Sequence, residues 1–203
     1  MNHKTFTDSL QVAILQSLLE FRQQHYDTPY AFALLGSTTA DSIDFAIATE
    51  EGLRRIAEKY DELGYRYSAH EWERFENIEK LAVWLRWANP DDGWYFGAFP
   101  EQFDINANLA ELMEAAVPGQ EAPDLEELCV GVLASMPSLA GWREAVTGLV
   151  LVLGFTYGED PRDFLRSATR ANEYPVVRRL WSEQFFCEEM SSRILSPHRR
   201  ERK

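Results

Sequence analysis

Tyr30-Ala31-Phe32-Ala33-Leu34-Leu35 and Ile43-Asp44-Phe45-Ala46-Ile47-Ala48, followed at once by Thr49-Glu50-Glu51-Gly52-Leu53, decide the fold. Within each of the first two runs, large side chains alternate with small or polar ones, the period of a strand whose one face meets a core. The loop between them, Gly36 to Ser42, is polar and led by glycine, so the two runs are predicted to pair antiparallel. Tyr30, Phe32, Leu34, Ile43, Phe45 and Ile47 would then share the core face. Thr49 is a natural N-cap, and Glu50 and Glu51 suit the positive first turn of a helix. Leu53, Ile56, Ala57, Tyr60 and Leu63 recur at helical spacing before Gly64, which predicts a helix over 50–63.

Upstream, Phe6, Leu10, Ile14, Leu18 and Phe21 form the stripe of an amphipathic helix that Asp27-Thr28-Pro29 ends. Downstream, Ser68-Ala69-His70-Glu71 is a capping box. It predicts a helix to about residue 88, with Trp72, Phe75, Ile78, Leu81, Ala82 and Leu85 inward and Asn89-Pro90-Asp91-Asp92-Gly93 as its stop. Trp94 to Phe99 fits a short strand or an extended loop. Two more helices are predicted over 105–117 and 124–136. Val146 to Tyr157 is apolar nearly throughout, as a central strand covered on both faces would be. Asp160-Pro161 starts a helix with Phe164, Leu165 and Ala168 inward, and Pro175 opens a last one holding Val176, Val177, Leu180, Trp181 and Phe185.

The expected fold class is α+β, a single domain over 1–203. A small mixed or antiparallel sheet, made of a hairpin near 30–48 and a buried strand near 147–157, would be packed by about six or seven helices. The polar, basic end, 196–203, is expected to fray.

With 45% hydrophobic and 26% charged residues, the composition is that of a folding chain rather than a disordered one. Cys129 and Cys187 form no CxxC pair, and no charged leader followed by an apolar run opens the chain. Two reduced core thiols in a cytoplasmic protein are expected, with a disulfide between them as the alternative, since the sequence does not give their separation in space. The longest apolar stretch, Gly148 to Phe155, is too short to cross a bilayer, so no membrane partner is expected. The net charge is −13, and the last five residues carry +3, which leaves −16 on residues 1–198. Such a body repels polyphosphate, so nucleic acid is not an expected partner, while a basic protein is attracted from a distance.

His3, His25, His70 and His198 are scattered without metal-ligand spacing. No G-x-S-x-G elbow, P-loop or G-x-G-x-x-G turn is present. No catalytic residue, metal or cofactor is therefore assigned. Adjacent acids such as Glu50-Glu51, Asp91-Asp92 and Glu188-Glu189 are better explained by helix dipoles, turns and solvation than by acid-base chemistry. The informative cluster is aromatic: Tyr65, Tyr67, Trp72, Phe75, Trp84, Trp87, Trp94, Tyr95, Phe96 and Phe99. Most belong in the core beneath the 69–88 helix. Trp84 and Trp87 cannot both face its narrow inward stripe, so one of them marks an edge. Tyr67, His70, Glu71, Trp87, Asp91, Asp92, Trp94, Glu101 and Asp104 are the candidate partner-binding residues at that edge.

A long N-terminal helix, then Tyr30-Ala31-Phe32-Ala33-Leu34, Ala48-Thr49-Glu50-Glu51-Gly52-Leu53, a helix ending in Lys59-Tyr60 and Tyr67-Ser68-Ala69-His70-Glu71-Trp72 resembles the bacterial family called domain of unknown function 4303. Asp160 to Leu180, with Arg166-Ser167 and Ala171-Asn172, is similar to that family's C-terminal region. Where the family tends to show Ser-Pro, this chain has Ser68-Ala69. The resemblance implies a bacterial, cytosolic protein and carries no catalytic residue with it.

Three functional expectations follow. The first is a non-enzymatic protein-binding module, of the kind immunity or antitoxin proteins represent, that neutralises a basic, toxin-like partner. The second is an enzyme or small-ligand sensor with Tyr67, His70, Glu71 and Trp94 around a pocket. The third is a homodimer that buries the aromatic patch against itself.

Overall fold

The unequal side chains of the two opening strands give the sheet two different faces, and the helices sort between them. The computed structural model describes residues 1–37, 39, 41–64, 75–86, 93–115, 124–142, 146, 149–155 and 161–183. In chain order its elements are α1 (His3–Gln24), β1 (Pro29–Gly36), β2 (Ile43–Thr49), α2 (Glu50–Glu62), α3 (Ile78–Leu85), β3 (Trp94–Gly97), α4 (Ile105–Glu114), α5 (Leu125–Ser135), β4 (Val150–Phe155), α6 (Pro161–Ala171) and α7 (174–183). The fold is α+β. Its sheet is mixed, in the order β3-β2-β1-β4, with β2 antiparallel to β1 and β3, and β4 parallel to β1.

One face carries Phe32, Leu34, Ile43, Ile47, Leu151 and Leu153 and packs with the apolar stripes of α1, α4 and α5. The other is paved with Ala31, Ala33, Ala46, Ala48, Val150 and Val152 and packs with Leu53, Ile56, Leu81 and Leu85 of α2 and α3. Small residues on that second face let the helices lie close. Phe45 stands opposite Gly97, and its ring lies where a Cβ on that glycine would be, 2.5 Å away. The glycine is what lets the aromatic ring lie flat across the strand pair.

Three sequence expectations change, and one that was left open is decided. Tyr30 does not share a face with Phe32 and Leu34, because the register shifts between Pro29 and Ala31 and the extra residue turns Tyr30 toward α2 and α3. The helix expected from 69 to 88 is helical only at Ile78–Leu85 among the described residues. Residues 75–77 are bends, and Asn77 caps α3 by accepting from the Lys80 N–H at 3.0 Å, so a local asparagine starts this turn. The Ser68–Glu71 capping box lies outside the described residues. Trp94 to Gly97 forms a strand, which periodicity left open.

The third change is β4. Both of its faces are covered, as expected, yet it lies at an edge of the sheet among the described residues rather than at the centre. Its outward backbone groups are taken by side chains from α6 and the residue after it. Ser167 Oγ accepts from the Leu153 N–H at 3.0 Å and donates to the Leu153 carbonyl at 2.9 Å. Asn172 Oδ1 accepts from the Leu151 N–H at 2.9 Å, and its Nδ2 donates to the Leu151 carbonyl at 2.6 Å. Two polar side chains five residues apart thus do the work of a fifth strand and block edge pairing. Arg166 and Arg170 hold α6 against Glu126 and Glu127 of α5.

Candidate functional site

The N-terminus of α2 is where the sheet, the α1–β1 loop and β3 converge, because β2 runs into the helix without a connecting residue. Thr49 caps the helix, with Oγ1 accepting from the Gly52 N–H at 2.9 Å. The same hydroxyl donates to Asp27 Oδ2 at 3.3 Å. That carboxylate oxygen also accepts from Tyr95 Oη at 2.8 Å and Arg55 Nη2 at 3.1 Å, and Arg55 Nη2 donates in turn to Tyr95 Oη at 2.8 Å. His25 stacks on Phe21 and leans on the Tyr95 ring, with centroids 4.5 and 4.8 Å apart. The hydrogen bond from Tyr95 holds the Asp27 carboxyl below its ordinary range, and burial and that same bond push the Tyr95 phenol up.

Beside this cluster, the Thr28 N–H and hydroxyl both donate to Glu51, whose pKa the Thr28 N–H lowers. On the other flank Arg86 reaches Glu50 with two parallel bonds of 2.7 Å and lies over the Tyr30 ring, 4.4 Å from its centroid. The Tyr30 hydroxyl donates to the Arg86 carbonyl at 3.2 Å, and burial raises its pKa. Gly52 is required here: a Cβ on it would stand 2.4 Å from the Gly93 carbonyl oxygen. Among the described residues the rim satisfies itself, Asp27 and Glu50 by the arginines Arg55 and Arg86 and Glu51 by the Thr28 donors, which is the chemistry of a clamp on the end of the sheet. None of these residues was legible as a group in the sequence, because Asp27, Thr49, Arg55 and Tyr95 each have a sufficient local reason to be where they are.

Of the residues expected at the docking edge, Tyr67, His70, Glu71, Trp87, Asp91 and Asp92 lie outside the described residues. Trp94 opens β3 and is half-buried in the layer with α2 and α3, its ring edge-on to Tyr30 at 6.4 Å. Glu101 and Asp104 are exposed on the opposite side of the sheet, where the neighbouring Phe99 and Phe103 pack with the α1 layer. The structure therefore brings Glu101 and Asp104 together and separates Trp94 from them. Glu101 opens a 3-10 turn, and Asp104 ends it in the left-handed region at φ 45°, a conformation Asp tolerates. The Asp104 carboxylate makes no capping bond to α4, and neither acid has an ion-pair partner among the described residues.

Trp84 is half-buried and tilts against Phe75 at 5.7 Å, so it belongs to the packing layer. Cys129 is buried in α5 and its thiol is pushed up to about 12 by burial, which makes it a core residue rather than a nucleophile; Cys187 lies outside the described residues. An open groove of about 690 Å³ runs between α1 and α5, lined by Lys4, Thr7, Gln11, Glu127, Gly131 and Ser135 among others. Its wall charges are already engaged, Lys4 by Asp8 and Glu127 by Arg170. No group of His, Cys, Asp and Glu able to hold a metal occurs among the described residues, and no helix there is long and apolar enough to cross a membrane.

Neither a curated protein nor a solved structure matches the chain. The Asp160 to Leu180 stretch lies outside the family match, which spans less than half of the sequence. Over residues 10–83, from α1 into α3, the chain is similar to the family described as Domain of unknown function (DUF4303).

Proposed function

We propose that this is a bacterial, cytoplasmic protein-binding module without catalytic activity, acting as an immunity or antitoxin-like protein that docks a basic partner. One observation carries the reading. From Trp87 through Trp142 the chain has no Lys, Arg or His, against ten Asp and Glu residues. Within that stretch Glu101, Asp104 and Glu114 are exposed along the 3-10 turn and α4 and have no ion-pair partner among the described residues, whereas Glu111 on the same helix is taken by the N-terminal ammonium of Met1. An uncompensated acidic strip of this kind speeds encounter with a basic surface and selects against acidic ones. Half-buried Phe99 and Phe103 beside it supply apolar area next to the charge.

The test is capture of partners from a host lysate at low and at moderate salt, with the parent chain and with the Glu101→Lys/Asp104→Lys double variant. A basic partner should be held by the parent at low salt, released at moderate salt and missed by the variant. Capture that is indifferent to salt and to the double substitution, or no capture at all, overturns the reading.

A further inference from the structure

The acidic surplus does not extend over the whole molecule. Residues 161–183 carry five arginines against three acids, on a chain whose net charge is −13. Arg166 and Arg170 are used against α5, and Arg179 lies 3.6 Å from Glu183. Arg178 is exposed and has no carboxylate partner among the described residues. It stands on α7 between Tyr174, four residues before it, and Trp181, three residues after it, so the three side chains share one helical face. Tyr174 is 75% and Trp181 54% exposed, although an aromatic on a helix ordinarily seeks the core. Beside this face a cleft of about 430 Å³ opens between α3 and α7, with Val83 and Pro175 as apolar lining and Arg178, Arg179, Ser182 and Glu183 as polar lining, Glu183 being the carboxylate that Arg179 already faces.

We infer that the outer face of α7 and its cleft bind an acidic peptide segment of a partner protein, at a surface distinct from the acidic strip. A free guanidinium can take a carboxylate through two parallel bonds, and the neighbouring indole, phenol and apolar cleft can take an aromatic or aliphatic side chain. Tyr, Trp and Arg are the residue types that dominate such contacts. A nucleic acid fits less well. With Arg179 held by Glu183, the one guanidinium of Arg178 neutralises few phosphates, and a nucleic acid has no aliphatic side chain to place in the apolar part of the cleft.

The probe is a fluorescein-labelled, glutamate-rich peptide containing one phenylalanine, titrated with the whole chain and followed by anisotropy. Saturable binding to the parent is expected, weakened roughly ten-fold by Arg178→Glu and several-fold by Trp181→Ala. Arg54→Glu, which makes the same charge change at an exposed site on α2, should leave affinity within about two-fold. Arg178→Gln keeps helix propensity and serves if the reversal disturbs folding, which circular dichroism monitors. The inference is overturned if no saturable binding is seen, if Arg54→Glu weakens binding as much as Arg178→Glu, or if a lysine-for-glutamate peptide or an oligothymidylate binds more tightly than the probe.

Discussion

Gly52 and Gly131 are both helical glycines, yet their surroundings set opposite expectations. A methyl group on Gly52 would meet the Gly93 carbonyl oxygen at 2.4 Å and Thr49 Oγ1 at 2.9 Å, and neither backbone nor cap can retreat cheaply. Gly52→Ala is expected to destabilise the chain by ~1–3 kcal/mol. At Gly131 nothing lies within 4 Å, so Gly131→Ala should stabilise it by ~0.5–1 kcal/mol, with both shifts read as urea midpoints. The titrating residues behave as predictably. Asp27 and Glu51 have lowered pKa values in the folded chain, so the stability they confer is complete above the ordinary carboxylate range and disappears as pH falls through their depressed values. Stability should be flat near neutrality and drop below about pH 4, and Asp27→Asn should make that acid slope shallower. An unchanged slope in urea titrations at stepped pH would show that the Tyr95 and Arg55 bonds do not set the Asp27 affinity for protons.

At the scale of elements, the strand pair and the helix after it were legible because alternation, a glycine-led loop and a threonine cap all pointed the same way. The misjudged elements share a physical cause, a tertiary contact that no local pattern encodes. Tyr30 is turned by a one-residue bulge, and its new face is held by Arg86, fifty-six residues away. The position of β4 depended on whether another strand or a helix takes its outer edge, and the apolar run of that strand looks the same in both cases. Ser167 and Asn172 are the residues that decide it, although each resembles ordinary helix surface in the sequence. Replacing both by Ala leaves four β4 backbone groups without those partners. A loss of ~1–3 kcal/mol for each unsatisfied group that water cannot reach is expected, together with concentration-dependent association through the opened edge. Sedimentation velocity alongside urea melts separates the two effects; a double variant as stable and as monodisperse as the parent would remove the edge-sealing role.

Over the whole molecule, charge is the property that sequence conveyed best and placed least well. The acidic surplus was evident from composition, but its division into a strip along α4 and an arginine-bearing face on α7 depends on which carboxylates find internal partners. Glu50, Glu51, Asp27, Glu126 and Glu127 are all engaged within the fold, whereas Glu101 and Asp104 have no partner for their carboxylates among the described residues. The aromatic cluster likewise separates, with Trp94, Trp84 and Phe75 going to one packing layer and Tyr95 and Phe99 to the other. The docking proposal thus rests on a narrower strip than the sequence suggested. Carbodiimide footprinting of carboxylates, read by mass spectrometry with and without the captured basic partner, tests it most directly. Glu101, Asp104 and Glu114 should be shielded in the complex while Glu58 and Glu62 on α2 keep their labelling; equal shielding of the α2 carboxylates, or labelling of Glu101 and Asp104 unchanged by the partner, would contradict it.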